Sequence, residues 1–397
     1  MKKITINKFT ILRIAWLAFF IILLNFFDIS GIQTGSLLAM FALTLYCYFF
    51  QIRTKFKTLF TSKWYFIFFL FITLSFVWSI DRSAGSSVYE AVTRTLIYAL
   101  CLDLFCDSKE NTDYMLNVLI AAGVLYAIHV LLVTPISAYG TARVGVAVNA
   151  QRNFVGQVCS LTSIIAFVKL MNEKNHRLIW LFSTIICYAV ACITGSRKAF
   201  LMFPFAIVLY IFTLKNVNKK IKYLLLVFAI GIIFLFIYLQ SSYLQEYFGD
   251  RLFAILDDDT DDASVVMREY LGQTAVSLFL NSPIIGNGCY AVAAYLNSIG
   301  FDFAVYAHNN YLEILADYGL IGIFLYYRFH IKVLWQSIKN KFNSMYYQLI
   351  FVFIAAIMLM DYGQVSYQKN MYIFMLVIVC SSLKWDNSED EGKMEEL

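Results

Sequence analysis

NSPIIGNGCYAV (281–292) and AHNNYLEILADYGLIGIFLYYRF (307–329) bracket the point where a long polar segment hands the chain back to an apolar helix. The polar segment ends at His308, and apolar residues recur from Tyr311 onward. Asn309 or Asn310 suits the cap of that helix, because a short amide side chain accepts from the orphan N–H groups of a first turn. A histidine just ahead of such a helix lies at a water–lipid boundary with its imidazole free. That is a position from which to take a proton from a substrate carried on a lipid.

Outward from this stretch, composition fixes the setting. Of 397 residues, 60% are hydrophobic, 18% aromatic and only 14% charged, and the mean hydropathy is +0.69. A soluble domain with so few charges would expose apolar surface and aggregate. Scarce proline and an aromatic set dominated by Phe and Tyr fit helices that face lipid and headgroups. The fold expected is therefore all-α: a polytopic transmembrane bundle of about twelve helices, read against the roughly 20 residues that a span requires. The spans fall near 10–27, 34–50, 63–80, 85–105, 113–134, 153–170, 177–195, 199–214, 221–239, 311–328, 346–361 and 370–384. Together they make one integral-membrane domain, 1–384, interrupted by a single long extracytoplasmic loop at 240–310. The acidic tail 385–397 reads as disordered.

The first apolar run, Ile11 to Phe27, is longer than a signal-peptide core and lacks a small-x-small cleavage site, so it reads as a retained helix. No CxxC or Cys/His cluster occurs, which argues against a disulfide framework or structural zinc. Lysine and arginine set the orientation. Lys2, Lys3 and Lys8, Arg53, Lys55 and Lys57, Lys174 and Arg177, Lys215 to Lys222, and Lys332 to Lys341 share one side. The positive-inside rule makes that side, and both termini, cytoplasmic. The cations left outside are Arg82, Arg143, Arg152, Arg197, Lys198, Arg251, Arg268 and Lys369. Each is read first as a solvated loop charge.

Some of these cations sit in patterns that carry chemistry. Thr194-Gly195-Ser196-Arg197-Lys198 puts two adjacent cations at a tight turn between helices, either snorkelling or clamping a phosphate. Arg268 lies in ASVVMREYLGQTAVSLFLNSP, whose apolar spacing reads as an amphipathic helix on the outer leaflet. Asp257 to Asp262 resembles a calcium loop only at first sight. Position six is Asp262 and position twelve Arg268, where glycine and glutamate are required, so the run reads as a solvated acidic loop and no metal is assigned. His129 reads as an interhelical histidine, and Glu90 with Arg94 as a neutralising i,i+4 pair or the lining of a cavity.

SFVWSIDRSAGSS (75–87), RVGVAVNAQRNFVG (143–156), TGSRKAF (194–200), the Arg268 segment with SPIIGNG (282–288), and HNNYLEILADYGLIG (308–322) occur in this order. Across roughly residues 75–330 the chain resembles the O-antigen polymerase/ligase superfamily of integral-membrane glycosyltransferases, GT-C-like enzymes that use polyprenyl-diphosphate-linked glycans. The resemblance implies that Arg197 and Arg268 engage the diphosphate and that His308 is the base. It implies no metal or cofactor, and an undecaprenyl-diphosphate-linked oligosaccharide as substrate among membrane lipids. A chain-length regulator and a flippase are the implied partners, with no role for nucleic acid. Lys198, Arg152, Arg143, Asn309 and Glu313 are further candidates for substrate contact. The residues support the same chemistry: without a metal, a diphosphate leaving group must be met by positioned cations, and an unperturbed histidine suits general-base work at neutral pH.

The expectation is a bacterial inner- or plasma-membrane enzyme that polymerises O-antigen, capsule or exopolysaccharide repeat units on the outer face, with inversion at the donor sugar. An O-antigen ligase acting on lipid A-core is the alternative. A lipid-linked oligosaccharide transporter is the reading from another class, and it would show repeats, broken helices and midplane ionisable groups.

Overall fold

The computed structural model describes residues 8–25, 30–51, 61–139, 141–240, 263–301 and 306–385. Arg251, the acidic run 257–262 and the tail 386–397 lie outside the described residues. Among the described residues every regular element is helical. The helices are α1 (Lys8–Asn25), α2 (Ser30–Gln51), α3 (Lys63–Ser75), α4 (Arg82–Phe105), α5 (Lys109–Val133), α6 (Arg152–Asn172) and α7 (Arg177–Ile193). They continue as α8 (Arg197–Thr213), α9 (Val217–Gln240), α10 (Ala263–Asn281), α11 (Ala291–Ser298), α12 (Asn310–Lys339), α13 (Met345–Asp361) and α14 (Asn370–Ser381). Each expected span falls on one of α1–α9 or α12–α14, while α10 and α11 arise inside the long loop.

By length and apolar composition, α5 and α6 suffice to cross a membrane. Others are shorter: α14, even extended through Trp385, covers about 24 Å at 1.5 Å per residue, against about 30 Å of hydrocarbon. Exposure fits a lipid setting. One face of α7 buries Trp180, Ser183, Thr184, Cys187 and Val190, yet the other presents Leu178, Phe182 and Ile185. In water that face would carry charges.

Local chemistry starts and ends these helices. Asp81 caps α4, accepting from Ser83 N at 2.8 Å and Ala84 N at 3.3 Å. Its neighbour Arg82 turns back to donate from Nε to Phe76 O at 2.9 Å, covering the end of α3. Ser108 accepts from Asn111 N at the start of α5, and Ser344 from Tyr347 N at the start of α13. His129 meets Asn25 Oδ1 at 2.7 Å, joining α5 to α1. At the other end of α4, buried Asp103 accepts from the backbone and hydroxyls of Thr61 and Ser62 and from the Lys384 ammonium.

The feature that positions everything after α9 is a break in α12. At Gly319 the backbone leaves the helical region (φ 62°, ψ −161°) before the helix resumes. A break orphans carbonyls on one side and amides on the other, and buried orphans are costly. Here the loop 283–288 satisfies them. Asn287 N donates to Ala316 O at 3.0 Å and Gly288 N to Asp317 O at 2.9 Å, while Leu320 N donates to Pro283 O at 2.9 Å and Ile321 N to Ile284 O at 3.1 Å. The Asn287 side chain adds bonds to Leu278 O and Ala316 O. The same loop meets the α3–α4 corner, where Ile80 N donates to Asn287 O at 3.2 Å.

Gly319→Ala should lower the thermal unfolding midpoint of the detergent-solubilised protein. Its backbone region is essentially reserved for glycine, at a cost of about 1–3 kcal/mol for other residues, and a Cβ there would stand 2.5 Å from Ile284 O. An unchanged midpoint would mean that the break bears no strain.

Candidate functional site

A cavity of about 210 Å³ opens where the first turns of α6 and α8, the side of α10, the 306–308 segment and the 363–372 segment converge. The close approach of α6 to α8 begins with Gly156, where a Cβ would stand 2.6 Å from Thr194 Oγ1 and 2.7 Å from Ala199 Cβ. Ser160 Oγ, one turn on, donates to Ala199 O at 2.5 Å. This docking brings Lys198, in the first turn of α8, to the cavity beside Asn153 and Gln157 of α6. The Lys198 ammonium donates to Gly363 O on the far wall. Helix N-termini add their own partial positive charge.

Arg268 enters from α10. The buried face of that helix, Leu271, Ala275 and Leu278, forms a small core with Val292, Leu296 and Ala316. Of the apolar stripe read from the sequence as facing the outer leaflet, Leu271, Ala275 and Leu278 are thus turned into the protein, while Tyr270 stays exposed and Arg268 is exposed at the cavity.

The three residues of His308-Asn309-Asn310 divide the work. His308 lines the cavity, its ring tilted 44° against that of Tyr306 with centroids 4.2 Å apart. Asn309 caps α12, its side chain accepting from Tyr311 N at 2.9 Å and Leu312 N at 3.2 Å. Asn310, fully buried, accepts from Ser366 N at 2.9 Å and Tyr367 N at 3.1 Å and donates to Tyr327 OH at 2.8 Å. It therefore ties the 362–369 segment, which forms one wall of the cavity, to the helix that follows the histidine.

His308 adopts a left-handed backbone (φ 53°), uncommon for a residue with a side chain. Glu313 supports it from below: fully buried, its Oε2 accepts from Ala307 N at 2.6 Å. Asp317, one turn further along α12, accepts from Tyr290 N and Ala291 N at the start of α11 and from Tyr367 OH.

The electrostatics point one way. Lys198, Arg268 and Lys369 line the cavity, and among the described lining residues there is no carboxylate. Burial first, then the charges of Arg268 and Lys198, push the His308 imidazole down to about 4. It is neutral at pH 7 and free to accept a proton. Amides from Asn149, Gln151, Asn153, Gln157, Gln364 and Asn370 complete the polar lining. Gln157 accepts from Tyr372 OH at 2.7 Å, while its own buried amide nitrogen has no protein partner. Cations and amide donors suit an anion joined to a hydroxyl-rich body. They do not suit a divalent cation, whose ligands are carboxylate and carbonyl oxygens.

Residues 182–327 match the O-antigen ligase family model. This supports the O-antigen polymerase/ligase superfamily and a membrane-integral setting. A search of curated proteins finds no match to the chain. The matched segment contains Lys198, Arg268 and His308. The walls at 149–157 and 363–372 lie outside it.

The structure brings together only part of the expected set. Lys198, Arg268 and His308 share the cavity. Arg197 does not line it, so its neighbour Lys198 occupies the place expected of Arg197. Arg152 opens α6 between the lining residues Gln151 and Asn153 without lining the cavity itself. Arg143 belongs to the turn 142–148, and its side chain lies outside the described residues. Asn309 and Glu313, expected at the substrate, are engaged beneath the loop as cap and prop. Lys369, read from the sequence only as an outer charge, joins the cavity, as does Gln157. Only the buried-site geometry identifies the latter, since a glutamine in an apolar run carries no motif.

Glu313→Ala should cut glycan transfer at least tenfold by freeing Ala307 N and with it the histidine, since an error of about 1 Å can cost a hundredfold. Glu313→Gln, which keeps an acceptor for Ala307 N, should retain most of the activity at an unchanged unfolding midpoint. Equal losses in both variants would show a role other than holding the loop.

Proposed function

We propose that this chain is a membrane glycosyltransferase that polymerises lipid-linked repeat units of an O-antigen, capsule or exopolysaccharide. The observation that supports it best is one cavity gathering Lys198, Arg268 and Lys369 around a neutral His308, with no carboxylate among the described lining. In the proposed reaction the bond between the donor sugar's anomeric carbon and the diphosphate oxygen breaks. Its electron pair stays on the diphosphate, met by the three cations. The acceptor hydroxyl bonds to the anomeric carbon and gives its proton to His308, so a single displacement inverts configuration. The Asn and Gln amides hold sugar hydroxyls.

A base at about 4 is weak while the charges of Arg268 and Lys198 face it unopposed. A diphosphate entering the cavity offsets the charges of Arg268 and Lys198, and the imidazole strengthens as its substrate arrives. Base strength is thereby tied to occupancy.

The reading carries with it a bacterial inner or plasma membrane, cytoplasmic termini and an outward-facing site, and an undecaprenyl-diphosphate-linked oligosaccharide as substrate. A flippase would supply it, and a chain-length regulator would act on the product. The description of the matched family favours a second reading, transfer to lipid A-core by a ligase. Transport gains little from the broken helix, because the loop 283–288 occupies its freed backbone groups and leaves none for an ion or solute.

The purified protein, given a short lipid-linked repeat unit as sole glycan, should yield a ladder of longer lipid-linked products with release of polyprenyl diphosphate. Transfer only after addition of lipid A-core would establish the ligase, and silence in both would remove the transferase. His308→Ala and Arg268→Ala should abolish product at normal protein level.

The pH profile gives a separate check. The acid limb of kcat/KM, which reports the free enzyme, should fall near pH 4, and that of kcat, with diphosphate bound, at higher pH. Lys198→Gln should raise the kcat/KM limb by removing a repelling charge. Coincident limbs in both parameters would rule out coupling of the base to the diphosphate.

A further inference from the structure

A second cavity, of about 170 Å³, lies on the other side of the 368–370 segment, between α1, α2 and α4. Its polar lining is Arg94, Ser36, Tyr98, Gln368, Lys369 and Asn370. Lys369 and Asn370 also line the first cavity, so the two share a wall. No acidic side chain lines the second cavity among the described residues. Arg94 lies twelve residues beyond Arg82, about 18 Å along α4, at a depth where cations are costly unless they face an anion or water. Among the described residues its ion pair is loose, Nη2 to Glu90 Oε1 at 3.8 Å, with the Glu90 side chain 70% exposed. The pairing read from the sequence is real, and it leaves most of the guanidinium fork unused.

Apart from Glu90, which does not line the cavity, the polar groups near these cations include donors suited to phosphate oxygens: the hydroxyls of Ser36 and Tyr98, 3.3 Å apart, and the amides of Gln368 and Asn370. We propose that this cavity binds the phosphoryl headgroup of a second polyprenyl lipid, alongside the donor's headgroup in the first. Its chemical identity rests on the transferase reading, in which both the acceptor and the released leaving group carry a diphosphate. Lys369 in the common wall faces both headgroups and neutralises part of each. The two lipids are held as neighbours, and the leaving diphosphate has a cationic site to move into.

The test counts lipids on the full-length protein in detergent by native mass spectrometry, with sugar-free undecaprenyl diphosphate as the probe. Wild type should bind two per chain. Arg94→Gln should weaken one of the two at least tenfold and leave the other, and the Lys198→Met/Arg268→Gln pair should do the reverse. Arg94→Lys, which keeps the charge, should still bind two, separating loss of a ligand from loss of fold. One lipid per wild-type chain, unaffected by Arg94→Gln, would overturn the site.

A lipid-linked repeat unit distinguishes the sources. If it fills the second site beside the sugar-free lipid, the site serves the acceptor; if only the sugar-free lipid fills it, the site serves the leaving group. Two bound lipids without glycan transfer would keep this site and discard the transferase reading. Transfer with a single bound lipid would do the opposite.

Discussion

The break in α12 is the constraint on which the site depends. Four backbone groups lose their helical partners at Gly319, and four from the loop 283–288 replace them. A continuous helix would leave that loop without a seat, since a Cβ on Gly286 would stand 2.3 Å from Asp317 O. With the loop seated, the α3–α4 corner has something to pack on and α11 can start over Asp317. The stretch from α10 to the start of α12 is therefore bound to the rest of the helices by directional bonds as well as apolar contact, and it carries both Arg268 and His308.

Within the site, geometry and charge act together. Three cations and an imidazole line one cavity with no carboxylate among its described lining residues, an arrangement that fits the proposed diphosphate. The amide that lacks a protein partner, on Gln157, belongs to the same logic: a buried donor left open is tolerated where a ligand satisfies it.

Much of this was legible in the chain. Apolar runs located the helices, and the position of HNN just before one of them located a cap, which Asn309 is. His308 and Arg268 carried the resemblance and do share the cavity. Other parts were beyond a sequence reading for physical reasons. Adjacent residues on a helix point about 100° apart, so nothing in Arg197-Lys198 says which one faces inward. The run ADYGLIGIF has helical apolar spacing, and neither of its two glycines stands out unless a distant loop is known to dock there, as one does at Gly319. The stripe on α10 is equally apolar whether it meets lipid or protein. The 362–369 wall holds no motif, and its place is revealed by contacts such as those of Ser366 and Tyr367 with Asn310.

That last contact has a consequence for how such a chain can change over time. Asn309 and Asn310 are consecutive, one fixing where the helix begins and the other fixing the opposite wall, and His308 precedes both. A single-residue insertion between histidine and helix would leave every side chain in place by name. It would also rotate the following anchor by about 100° and advance it 1.5 Å, separating histidine from wall. Substitutions at this point adjust the chemistry, whereas a change of length dismantles the cavity. The three residues after Ala307 act as a fixed gauge.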